Sequence, residues 1–246
     1  MSEPDIIVIK VGGSVLSDDS SASRLMESLG LRMVAGRTVL IHGGGSDITS
    51  WLDRLGIPPG FIEGQRVTCP DTMKVVEMVL SGFMNKKLVH LLEEKGYPAA
   101  GISGRDGSLA SAGFLDKRLG RVGVVEKVDP GILLSLMNSG FIPVVSPVSS
   151  GPDGGPLNVN ADFFASRIAA ALSAAELNLV TASGGVLSGE VLIEKLSCDR
   201  IPGLISDGIA TAGMIPKLQS ALSAREEGVK RVNILNYEGR VGTCVE

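Results

Sequence analysis

This chain is poor in cysteine, histidine and aromatic residues, carries no excess of positive charge, and has no long apolar run. Its three cysteines, Cys69, Cys198 and Cys244, are far apart and odd in number. They match neither a zinc-ligand spacing nor a disulfide framework, so no metal site is expected and a reducing, cytoplasmic setting is. One Trp, two Tyr and a formal net charge of -4 exclude both a base-stacking platform and a basic nucleic-acid footprint. No uncharged apolar run approaches ~18 residues, so nothing is expected to span a membrane. The acidic start, MSEPDIIVIK, lacks the basic flank and apolar length of a secretory leader.

What is abundant is glycine, with 32 residues in a chain of 246. That is about 13%, well above the usual ~7%. Apolar, β-branched runs alternate with helical patterns. Residues 5–13, 37–42, 97–103, 141–148, 176–182 and 231–236 read as strands, and 120–128 as one arm of a hairpin. Helical patterns fall at 21–35, 46–56, 70–96, 130–140, 161–174 and 213–228. Ser46 or Asp47 is the expected cap of the second, and Gly96 the stop of the third. In that third helix Val75, Met78, Val79, Met84, Leu88, Leu91 and Leu92 are expected to face the core. The alternation predicts a single α/β domain over 1–246, a sandwich with a mainly parallel central sheet. GPDGGP at 151–156 reads as a turn rather than a domain boundary.

Two glycine clusters, KVGGS (10–14) and HGGGSD (42–47), sit where a strand ends. In an open parallel sheet, ligands bind at the carboxyl ends of strands. Glycines there leave backbone N–H groups uncovered, and a following helix start adds positive potential, which suits a phosphate. Tight turns alone would account for either cluster taken singly. Neither matches G-x-x-x-x-G-K-[ST] or G-x-G-x-x-G with a downstream acid. Lys10 lies inside an otherwise apolar strand, where a lysine is costly without a charge partner. Lys217 falls just inside a helix start, where the helix dipole disfavours it and an anion would resolve the conflict. LNVNAD (157–162) sets Asn158, Asn160 and Asp162 at alternate positions. One helix cap needs one such residue; three on an extended approach would point the same way, as in a site.

Taken together and in order, KVGGS, IHGGGSDI, GQRVTCPDTMKVVEMVLSGFMNKKLV, GISGRDG, LNVNAD and AGMIPKL resemble the amino-acid kinase family over nearly the whole chain. Arg66-Val67-Thr68 and NVNAD are similar to the acetylglutamate kinase branch and its lysine-biosynthesis relative, which acts on aminoadipate held by a carrier protein. The resemblance implies a three-layer αβα sandwich, the carbamate kinase-like fold, with residues up to about 175 binding the acceptor and 176–246 the nucleotide. It implies transfer of the ATP γ-phosphoryl group to a side-chain carboxylate, that of N-acetyl-L-glutamate in arginine biosynthesis, giving an acyl phosphate. Lys10 and Lys217 would flank the phosphoryl group, and Asp162 would hold both ammonium groups. Gly12, Gly13, Ser14 and Gly213 would contact nucleotide phosphates, and Gly44 and Gly45 the group in transfer. Arg66 and Asn158 would grip the acceptor's α-carboxylate, with Asn160 steadying the loop. Mg²⁺ would be held mainly by ATP. An ionised carboxylate needs no general base; His42 and His90 therefore need no catalytic role, a structural one being expected of His42 and a merely packed or solvated place of His90.

The pattern departs from the family in three places. Ala182 stands where an aspartate is common near the nucleotide, Cys69 where one follows Arg-Val-Thr, and Ala212 where glycine is usual. Arginine-inhibited members carry an extra N-terminal helix that links dimers; few residues precede the first strand here, so a simple homodimer, insensitive to arginine, is expected, with helix 71–95 as its face. Two rivals are a carrier-linked aminoadipate or glutamate kinase and a non-catalytic binding protein on the same fold. Arg105, Lys117, Arg118 and Arg121 are either docking residues for a carrier or plain solvated charges, and the plain reading is preferred.

Overall fold

The computed structural model describes residues 5–16, 19–30, 37–181, 184–189, 191–210, 213–236 and 241–246. Strand β1 (Ile7–Val11) leads to a one-turn helix α1 (Gly13–Leu16), then α2 (Asp19–Gly30), β2 (Thr38–His42) and α3 (Gly45–Arg54). A hairpin of β3 (Gly60–Ile62) and β4 (Gln65–Val67) precedes a long helical run in three parts: α4 (Pro70–Glu77), a π-helical segment (Met78–Met84) and α5 (Asn85–Glu94). Next come β5 (Ala99–Ser103), β6 (Ala110–Phe114), β7 (Val122–Val128), α6 (Gly131–Asn138), β8 (Ile142–Ser146), β9 (Ser149–Ser150), β10 (Pro156–Val159) and α7 (Ala161–Ala171). The chain continues through β11 (Glu176–Val180), β12 (Leu187–Ser188), β13 (Val191–Leu192), β14 (Lys195–Leu196), α8 (Ile201–Ser206), α9 (Ile215–Glu226), β15 (Arg231–Leu235) and β16 (Val241–Val245).

Eight strands form the central sheet in the order β14-β16-β15-β11-β1-β2-β8-β5. Neighbours are parallel except β15 and β16. Because successive side chains on a strand point to opposite faces, the apolar runs supply two cores. Val8, Ile41, Val145, Leu177 and Ile234 pack with Phe164 and Ile168 of α7 and Leu218 of α9. Ile9, Leu40, Val144 and Leu235 pack with Leu25 of α2, Leu52 of α3 and Leu88 of α5. The result is the three-layer αβα sandwich the sequence predicts. β1 lies between β2 and β11, so the chain winds outward from it in both directions. The crevice at that reversal is the natural ligand site of an open α/β sheet.

Several sequence expectations need correction. Helix 46–56 begins at Gly45 with Gly44 as N-cap and no capping side chain, rather than being capped by Ser46 or Asp47. The long helix keeps its apolar face by widening into a π-helical segment. Met78, expected in the core, is 61% exposed, because it lies opposite the face of Val75, Val76, Val79 and Leu80. The segment 21–35 is helical to Gly30, and its remainder falls outside the described residues. The expected hairpin arm at 120–128 is β7, paired antiparallel with β6; together with β9 and β10 it closes a small barrel that the sequence did not suggest.

Candidate active site

A cavity of about 500 Å³ opens at the crevice beside β1. Its wall includes Lys10, Gly13, the Gly43–Gly45 loop, Arg66, Asn158, Asn160 and Asp162. Helices α3, α7 and α9 each bring their first residues to it, through Gly45, Ala161 and Ile215. Helix starts carry unsatisfied N–H groups and positive potential, so three of them favour an anion here.

The charged centre is an ion triad. Lys10 Nζ lies 2.8 Å from Asp162 Oδ1, and Lys217 Nζ donates to Asp162 Oδ2 at 3.3 Å. Lys10 and Asp162 are buried, their side chains 6% and 7% exposed. Burial opposes ionisation of the Asp162 carboxyl, yet the charges of Lys10 and Lys217 hold it below the usual carboxylate range. Burial pushes the Lys10 ammonium down, with Lys217 acting in the same direction and Asp162 against it. Two ammonium groups against one carboxylate leave one positive charge unmatched in the triad; Lys10 and Asp162 line the cavity, and Lys217 stands behind them. Lysine at the start of α9, costly against the helix dipole, has Asp162 as its counter-anion.

Local sequence explains how Asp162 is aimed. The three polar residues of LNVNAD do not project from one strand face. Asn158 belongs to β10, which ends at Val159, and Asn160 caps α7 by accepting from the N–H groups of Asp162 (2.9 Å) and Phe163 (3.4 Å). That cap is not incidental, because it begins the helix whose first turn turns Asp162 inward. All three still reach the cavity, by strand, cap and first turn in succession.

The glycine loops pack backbone on backbone. A Cβ built on Gly13 would lie 2.7 Å from Gly44 Cα and 2.8 Å from its N, so a side chain at 13 would force the loops apart. Helix α3 starts without a side-chain cap, which leaves its first N–H groups free of competition. Gly12 and Gly213, expected on phosphate, do not line the cavity. Gly12 joins β1 to α1, and Gly213 turns its carbonyl toward Lys217 Nζ at 3.4 Å. The side chain of Ser14 lies outside the described residues, as do Ala182 and Ala212.

Arg66, on β4, is stacked on Phe61 at 4.8 Å, and its Nη2 donates to the Gly45 carbonyl (2.9 Å) and Thr49 Oγ1 (2.8 Å). Its Nη1 is buried without a hydrogen-bond partner among the described residues. A buried unpaired guanidinium N–H is a standing demand for an acceptor. Asn158 donates to Thr68 Oγ1 at 3.2 Å, tying β10 to the end of β4. Cys69 does not line the cavity. It caps α4, its Sγ accepting from Thr72 N at 3.4 Å, the place an aspartate would fill.

The histidines take no direct part. His42 is fully buried, and burial pushes its pKa down to about 4. His90 is exposed beside Glu94 at 3.3 Å. Residues the sequence did not single out complete the wall: Ile48, Phe61, Leu80, Val122, Val159 and Gln219. The signal for Phe61 was the Gly64 of a two-residue hairpin turn, obscured because Glu63, at φ 50°, fills a position usually held by Asn, Asp or Gly.

Residues 5–236 match the model of the amino acid kinase family. The chain is 42% identical over 241 residues to the acetylglutamate kinase of Synechococcus sp. (strain RCC307), covering 96% of this chain and 81% of that one. It is 44% identical over 234 residues to the acetylglutamate kinase of Bacillus velezensis, covering 95% and 90%. Among solved structures, smu.665 from Streptococcus mutans UA159 superimposes with a TM-score of 0.87 at 31% identity, covering 98% of both chains. Carbamate kinase from Giardia lamblia, at 14% identity and a TM-score of 0.67 over 100% of this chain and 99% of that one, shares the fold. This chain belongs to the amino acid kinase family.

Proposed function

We propose that this protein transfers the γ-phosphoryl group of ATP to the side-chain carboxylate of N-acetyl-L-glutamate, the acyl phosphate-forming step of arginine biosynthesis. The observation that carries the reading is the triad of Lys10, Asp162 and Lys217, two of whose members, Lys10 and Asp162, line a cavity that Arg66 also lines. Arg66, helped by Asn158, holds the α-carboxylate of the acceptor by its two-pronged geometry. That leaves the side-chain carboxylate to face the lysines. The acceptor oxygen attacks the γ-phosphorus, the bond from phosphorus to the bridging oxygen breaks, and ADP leaves. No proton has to move. The barrier lies in bringing two anions together, and the unmatched positive charge of the triad, with the N–H groups of Gly44 and Gly45, lowers it. Mg²⁺ bound to the ATP phosphates supplies further charge neutralisation. Asp162, engaged by both lysines, serves to space them rather than to hold the metal. The acceptor sits within the part up to about residue 175, and the nucleotide with the remainder.

The carrier-linked reading is less favoured because three of its four candidate docking charges are already paired. Arg105 lies 2.6 Å from Glu77, Arg118 2.7 Å from Asp116 and Arg121 2.9 Å from Asp153. A homodimer is supported by Leu55, Met78 and Phe83, each more than half exposed, which cluster beside Trp51 on α3 and the long helix. The test is incubation with Mg-ATP and hydroxylamine against N-acetylglutamate, free glutamate and aminoadipate derivatives in turn. Hydroxamate with N-acetylglutamate alone is expected; a product with another acceptor alone would replace this reading.

A further inference from the structure

Behind the glycine loop lies a buried polar relay with no place in the chemistry so far described. Asn85, the first residue of α5, is 0% exposed, as is His42 at the end of β2. The Asn85 Nδ2 lies 2.9 Å from the Val144 carbonyl of β8, 3.2 Å from the Ile102 carbonyl of β5 and 3.3 Å from His42 Nε2. Its Oδ1 accepts from Lys86 Nζ at 3.0 Å. Two carbonyls on one side and an ammonium on the other leave a single orientation for the amide. The two Nδ2 hydrogens are shared among three acceptors, His42 Nε2 being the most distant; because that nitrogen faces a group that only donates, the ring proton sits on Nδ1. That nitrogen lies 3.1 Å from the Gly43 carbonyl and donates to it. A peptide unit is planar and trans, so holding the Gly43 oxygen toward the ring turns the Gly44 N–H the opposite way.

We propose that His42 and Asn85 are positioning residues for phosphoryl transfer: the Asn85 amide selects the His42 tautomer, and the ring orients the Gly43–Gly44 peptide so that the Gly44 N–H meets the migrating group. The inference rests on the kinase reading above. The low pKa of His42, about 4, is consistent with a ring that stays neutral while it works. Lys86 is the charged side chain that acts on it, and pushes in the same direction. A peptide misdirected by a fraction of its width costs rate rather than affinity for the acceptor, because the Arg66 clamp is untouched.

Two measurements test it. ¹⁵N spectra of the intact protein at neutral pH are expected to show His42 as the Nδ1–H tautomer, and Asn85→Ala to bring in the other tautomer. This readout does not depend on activity. In the hydroxamate assay, His42→Leu is expected to lower kcat by roughly 10- to 100-fold with the acceptor KM within about twofold. His42→Asn, whose amide can replace the Nδ1 donor, is expected to recover most of that loss. Urea unfolding of both variants separates a fold defect from a positioning defect. An Nε2–H tautomer in the wild type, or a His42→Leu variant with unchanged kcat, overturns the proposal. So does equal loss in the Leu and Asn variants, which marks a structural role. A wild type that yields no hydroxamate with any carboxylate overturns the kinase reading, and this proposal with it.

Discussion

The molecule uses the same charge pairs in two settings, and the difference shows what burial does. At the cavity, Lys10, Asp162 and Lys217 share a site where side-chain exposure is 15% or less. On the surface, Arg118 pairs with Asp116 at 64% and 30% exposure, and Lys74 with Asp71 at 75% and 71%. Solvent screens the surface pairs, so each partner is replaceable. The buried triad has no such cover. Removing Asp162 leaves two like charges uncompensated, and the triad's unequal count of cations and anions is felt across the cavity.

The comparison can be broken at its strong end first. Asp162→Asn leaves two ammonium groups without their anion, and breaking a buried pair this way costs about 3–5 kcal/mol. Urea unfolding at neutral pH would show it, together with loss of turnover. His42 provides a buried group that titrates alone. Its folded pKa of about 4 lies below the unfolded value near 6.5, so the unfolded state takes up protons first as pH falls. Its contribution is complete above pH 6.5 and is lost down to about 4, about 3 kcal/mol in all. His42→Asn is expected to remove that slope from unfolding free energies measured between these pH values. Lys217→Ala should reduce kcat by roughly 10²-fold or more while leaving the circular dichroism unchanged. A variant within about threefold of wild type would argue that the triad is structural. Arg66→Lys keeps the charge and loses the fork, and is expected to raise the acceptor KM by about tenfold, with a smaller change in kcat. At the weak end, Arg118→Ala should change neither activity nor the unfolding midpoint measurably. A clear loss with a carrier-bound acceptor would instead revive docking at that surface.

Legibility in the sequence followed the cost of each residue. Lys10 stood out because a lysine inside an apolar strand needs a partner, and Asp162 supplies it across more than 150 residues of chain. Arg66 was readable through resemblance, but its stacking on Phe61 was not. The wall residues Leu80, Val122 and Val159 were hidden because an apolar side chain in a site has the same sequence signature as one in a core. Asn160 was seen as part of a site and undervalued as a cap, since three polar residues at alternate positions suggest a strand to the end. The small barrel escaped because β9 has two residues and β10 four, too few to show a period.

The wide turn in the long helix has a consequence for length variation. The sixteen residues from Val76 to Leu92 would advance a regular 3.6-residue helix by roughly four and a half turns, setting these two on opposite sides. Both are buried in the same core. The segment Met78–Met84 absorbs the phase error, as an inserted residue would. Excising Gly82, whose Cα faces open space, would swing Asn85, Leu88 and Leu92 by about 100° around the axis. The stretch therefore tolerates exchange of side chains far better than it tolerates a change in their number.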